Sequence, residues 1–251
     1  MVSEIGSFRE EYPPRPRICP ITVVFMIVHT GERLKEAARE IKPRLRGWLH
    51  LATFPLSVVA GSVLIWLSPS TTTRIATTVF AVSSSMLFGV SALFHRGQPW
   101  SPRWHAALRR LDHSTIFLLI AGTYTPFALT LLDGDRARVL LILVWGGALI
   151  GIAFRVLWIG APRWLYLPVY VGLGWAAVFW LDDFAAAAEP AVLSLIVIGG
   201  LLYSLGGLVY GIQRPDPIPH WFGYHEVFHS LTIAAFAAHY AGVSMIVCSL
   251  R

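Results

Sequence analysis

Seven long apolar runs, at residues 49–67, 75–95, 113–132, 138–157, 164–181, 191–211 and 224–247, leave this chain few ways to fold. Each is close to the roughly 20 residues an α-helix needs to cross about 30 Å of hydrocarbon. Inside a bilayer a backbone must satisfy its own hydrogen bonds, so such a run spans as a helix. The fold class expected is therefore all-α: a polytopic membrane protein built as a seven-transmembrane-helix bundle. Composition agrees, with 55% hydrophobic and 14% charged residues against about 25% charged in soluble domains. That excludes a water-solvated enzyme, a disordered chain and a coiled coil. The breaks between runs carry turn formers or charge: Ser68-Pro69-Ser70, Gly97-Gln98-Pro99, Asp133-Gly134-Asp135, Ala161-Pro162-Arg163, Asp182-Asp183 and Arg214-Pro215-Asp216-Pro217. Tryptophans 48, 66, 158, 164, 180 and 221 stand near span ends, where an interfacial belt sits.

The basic residues orient the bundle. With residues 1–48 and every second loop on one side, that side holds sixteen of the 20 Lys and Arg, and the other holds Arg74, Arg136, Arg138 and Arg251. The positive-inside rule then puts the N-terminus in the cytoplasm and the C-terminus outside, in a multi-pass protein of the cell (inner) membrane. The net charge of +6 thus reads as orientation, and no nucleic-acid partner is expected. Residues 1–48 form a cytoplasmic segment ahead of the membrane domain at 49–251. Its apolar stretch from Ile21 to Val28 is too short to span and is followed by no small-residue cleavage site, so it is not a signal peptide. Within it Thr30 caps a short amphipathic helix whose stripe is Leu34, Ala37, Ala38 and Ile41, suited to lie on the inner leaflet. Cys19 and Cys248 fall on opposite sides and cannot pair.

Ionisable residues converging from several spans ask for a reason. The second span closes on Ser91-Ala92-Leu93-Phe94-His95, the third opens on Leu111-Asp112-His113-Ser114, and the seventh opens on His225-Glu226-Val227-Phe228-His229. Four-residue spacing puts Ser91 with His95, and His225 with His229, on single helix faces. Chain direction places His95, Asp112, His225 and His229 at one depth, near the cytoplasmic boundary. Three neutral imidazoles suit Zn²⁺ with a fourth position left for water, and a neighbouring carboxylate can hydrogen-bond that water. His225 to His229 also spells the HExxH of zinc proteases, in which Glu226 would be the general base. Intramembrane proteases of that type supply a later acidic ligand, and none follows His229. His50, His105 and His220 read as interfacial or loop residues, and His113 as a packing or orienting residue. His239, about 15 Å deeper than His229 by helical rise, reads as a buried, hydrogen-bonded histidine. The Gly147/Gly151 and Gly207/Gly211 pairs read as close helix packing.

These segments carry a resemblance. Lys42-Pro43-Arg44-Leu45-Arg46-Gly47-Trp48-Leu49-His50, Ser91 to His95, Leu111 to Ile116, Ile120 to Pro126, Gly174-Trp175 and His220 to His229 are together similar to the haemolysin III branch of the adiponectin/progestin receptor family. The likeness runs from about residue 42 to the C-terminus. It implies seven helices with the N-terminus inside, zinc held by His95, His225 and His229, Asp112 reaching the ion through water, and Ser91 close by. Receptor-type relatives are thought to hydrolyse ceramide-like amides. The function expected is a zinc-dependent hydrolase of lipid amides or esters, with Asp112 and Ser91 catalytic. Its partners would be membrane lipids and a lipid substrate, with homo-oligomerisation left open. The rival expectation is a pore-forming or cytolytic protein in which zinc is structural.

Overall fold

The computed structural model describes residues 43–97, 100–158 and 160–251. The helix expected after Thr30, the rest of the N-terminal segment up to residue 42, and Cys19 lie outside the described residues. The helices are α1 (Trp48–Leu67), α2 (Thr71–Arg96), α3 (Pro102–Leu131), α4 (Gly134–Leu157), α5 (Arg163–Gly174), α6 (Leu181–Ala187), α7 (Pro190–Ile212) and α8 (Tyr224–Ser249), with a 3₁₀ segment at Ala176–Trp180. Among the described residues no strand forms; the only β feature is a single bridge between Ile218 and Phe222. Seven helical stretches are long and apolar enough to cross a membrane, Arg163–Ala187 counting as one. The protein is an all-helical, multi-pass inner-membrane protein.

Local chemistry explains where the observed ends depart from the hydropathy runs. α3 begins at Pro102 because Ser101 caps it, accepting from the Trp104 N–H, while the proline needs no hydrogen-bond partner there. Its first turns carry exposed Arg103, Trp104 and His105, polarity that hides a helix from a hydropathy reading. His105 is thus helical and not in a loop. The fifth span does not stop at Asp182-Asp183. It continues to Ala187, with Asp183 accepting from Arg136 of α4. The real interruption comes earlier, at Trp175, where Tyr124 of α3 bridges the break. Its hydroxyl donates to the Gly174 carbonyl (2.6 Å) and accepts from the Ala177 N–H (2.9 Å), satisfying backbone that lipid could not. Trp180 departs from the expected belt as well: it is buried, with the Arg136 guanidinium over its ring.

α3 is the axis of the bundle, with 67% of its span buried against 28% for α1, α4 and α7. It packs between α2 and α4 and also touches α5, α6 and α8. α8 lies along α7 and α1, closing the ring. Close approach of α2 and α3 requires Gly122, where a Cβ would stand 2.0 Å from Ser83 Oγ. The two expected glycine pairs receive side chains from neighbouring helices: Gly151 seats the Phe117 ring and Gly211 faces Leu167.

Candidate metal centre

Three imidazoles meet where the end of α2 reaches the start of α8. His95 is the penultimate residue of α2, His225 the second residue of α8, and His229 stands one turn further along. One donor atom from each lies within 4.8 Å of the other two. The Nε2 atoms of His95 and His225 are 3.2 Å apart. Two nitrogens bound to one tetrahedral zinc at about 2.0–2.1 Å stand about 3.3 Å apart, so this pair already has the spacing an ion would impose. His95 and His229 are buried and His225 is half-buried. His229 Nδ1 has no hydrogen-bond partner, a state that a coordinate bond through that nitrogen would relieve. Neutral donors, their spacing and an unsatisfied buried nitrogen all fit zinc.

The sequence builds this junction with two devices. Gly47 has φ +81°, and a Cβ there would stand 2.7 Å from His95 Cβ, so only glycine lets the chain turn into α1 across the end of α2. The second device is Glu226. Its Oε2 accepts the Gly223 N–H (2.9 Å), capping α8, while its Oε1 accepts from Arg46 Nε at 2.5 Å. Arg44 and Leu45 donate backbone N–H groups to His220 and Trp221, tying the strap ahead of α1 to the loop ahead of α8. The Glu of HExxH is therefore a buried structural clamp, one carboxylate oxygen engaged by Gly223 and the other by Arg46. That is not the geometry of a general base.

His50, expected at the interface, is instead 2% exposed and stacks face to face on His229, ring centroids 3.7 Å apart and planes within 8°. Neither of its nitrogens has a partner. It was findable by depth, since the first span starts from the same side as the seventh, but no histidine one turn away flagged it. Ser91 is buried one turn before His95, and its side chain faces the Asp112 carboxyl. Asp112 is half-buried and lies outside the three-donor group, on the wall of the same cavity. His113 turns aside as expected: its Nδ1 is 2.7 Å from the Arg109 carbonyl, and its own carbonyl accepts from Tyr170 OH at 3.1 Å. His220 sits in a turn with φ +73°. His239 is buried and bonds the Ile196 carbonyl through Nε2 (3.2 Å). Arg155, near the end of α4, is 1% exposed, with its guanidinium against the Tyr166 ring, 4.2 Å from its centroid.

From the imidazoles a cavity of about 450 Å³ runs into the bundle, walled mainly by apolar side chains such as Leu87, Ile116, Leu119, Phe127 and Leu193. Its shape and lining suit a long hydrocarbon chain whose polar end meets the three histidines, Ser91 and Asp112.

Comparison with known proteins adds a second line. A family model described as haemolysin-III related matches residues 38–240. The chain is 35% identical over 161 residues to the Hemolysin-3 homolog of Bacillus subtilis (strain 168), covering 64% of this chain and 72% of that protein. It is 34% identical over 136 residues to Hemolysin-3 of Bacillus cereus, covering 54% and 61%. Against the Adiponectin receptor protein of Drosophila melanogaster it is 28% identical over 225 residues, covering 78% of this chain and 49% of that one.

Proposed function

The chain belongs to the haemolysin-III related family, and on that premise we propose that it is a zinc-dependent hydrolase of lipid amides or esters, oriented with its N-terminus in the cytoplasm. The observation that carries this reading is the three-imidazole donor group opening on a long apolar cavity beside Ser91 and Asp112. Zinc held by His95, His225 and His229 supplies Lewis acidity toward a carbonyl oxygen and toward water. The cavity holds the acyl chain out of water and so fixes the scissile carbonyl at the histidine end. Asp112 takes a proton from the attacking water and returns it to the leaving amine or alkoxide. Ser91, facing Asp112 from α2, donates its single hydroxyl proton to that carboxylate and so holds it toward the attacking water.

The test uses purified, zinc-loaded protein with a fluorescent ceramide-like amide and a matching ester. Asp112→Asn should keep its metal and lose turnover by about 10²- to 10⁴-fold, the usual share of a general base. Undiminished turnover by that variant, or no turnover of either substrate by the loaded wild type, overturns the reading. Dye leakage from liposomes that survives Asp112→Asn, with no product formed, would favour the lytic function that two relatives' names suggest.

A further inference from the structure

The end of the cavity remote from the imidazoles is not wholly apolar. His239 lies ten residues beyond His229 on α8, about 15 Å along the axis. Three residues lining the same cavity carry buried atoms without a hydrogen-bond partner: His239 (Nδ1), Tyr203 on α7 (OH) and Thr123 on α3 (Oγ1). His239 is 7% exposed and Thr123 8%. A buried polar atom left unpaired is unfavourable, and three from three helices on the wall of one cavity call for an occupant. The space is shaped for the imidazole, since a Cβ on Gly199 would stand 2.3 Å from His239 Nε2.

The chemistry of the occupant follows from the tautomer. His239 Nε2 donates to the Ile196 carbonyl, so the neutral ring presents Nδ1 as a bare acceptor. The Tyr203 ring lies 5.7 Å away, centroid to centroid, and its hydroxyl is a donor with nothing to receive it. A group that donates to one and accepts from the other carries an O–H, whether water or a hydroxyl of the ligand that displaces it; a carbonyl or an ether could only accept. We propose that this remote cluster is a second binding subsite, which takes a hydroxyl carried partway along the chain of the bound lipid. The proposal rests on the reading that a lipid chain occupies the cavity, and it adds a chain specificity to it.

Ricinoleate and oleate differ by one hydroxyl midway along an otherwise identical chain. Each is titrated against a fluorescent polyene fatty acid bound to the purified full-length protein. Wild type should prefer ricinoleate by roughly tenfold, the size of one well-made buried hydrogen bond. Tyr203→Phe, which deletes only an oxygen, and His239→Phe should each bring the two to parity. Equal binding of the two by wild type, or a preference that survives both variants, overturns the subsite while leaving the lipid cavity standing. If neither fatty acid displaces the probe, the lipid-filled cavity itself falls, and the subsite with it.

Discussion

Two stretches of α8 carry histidines, and their fates differ. His225 and His229 meet a third imidazole arriving from α2, and His50 of α1 stacks behind them. His239 meets the Ile196 carbonyl, Gly199 and the rings of Phe127 and Tyr203. All three histidines share one helix and one apolar bundle. What separates them is the arrival of other helix ends at the right level, which Gly47 and the Arg46–Glu226 pair enforce at the first site and nothing enforces at the second. A four-residue histidine spacing supplies two candidate donors; the third comes from tertiary structure.

The largest expected effect tests that contrast directly. His225→Ala should strip the bound metal completely after dialysis, because two neutral donors at an open site hold zinc far more weakly than three. His239→Ala should retain it in full. Elemental analysis of the purified variants reads both, and loss of metal from the His239 variant would erase the distinction drawn between the two stretches.

Next in size is the clamp. Arg46→Met leaves the Glu226 carboxylate buried without its cation, which destabilises by about 3–5 kcal/mol. Glu226→Gln should be milder, since the amide oxygen can still cap Gly223. The readout is the unfolding midpoint in detergent with added denaturant. Turnover by the folded, metal-loaded Glu226→Gln protein sharpens it further: it should persist, whereas a general base at this position would make it vanish.

Much of this architecture can be read from sequence, because the bilayer leaves an apolar run of twenty residues little choice but to be a helix. The zinc-ligand candidates were readable for a related reason: alternating chain direction fixes depth, so His95, His225 and His229 could be set side by side before any contact was known. The interruption of the fifth span was not readable. It depends on a hydroxyl from Tyr124, fifty residues earlier in the chain, while in the visible signal, Asp182-Asp183, Asp182 is exposed and Asp183 is paired with Arg136 of another helix. Glu226 misleads for the same reason, since its motif points to catalysis and its partner Arg46 lies 180 residues away. Periodicity within a helix and depth set by chain direction showed; individual hydrogen bonds and ion pairs between helices did not.

Gly47 and His50 carry the smaller effects, and they separate geometry from ligation. Gly47→Ala forces a side chain into a left-handed position against His95, at about 1–3 kcal/mol, and should also loosen metal binding because His95 is the residue displaced. Isothermal titration with zinc and a thermal melt of the same sample should move together.

His50→Phe should do the least. Phenylalanine can keep the stack on His229 and the edge contact with Phe88, while removing two buried nitrogens that have no partner. The expected outcome is a stabilisation of about 1 kcal/mol with metal content unchanged, and an unaltered visible spectrum for the cobalt-substituted protein. A changed cobalt spectrum would mean that the fourth imidazole joins the ligand set, moving the boundary of the metal centre from α2 and α8 to include α1.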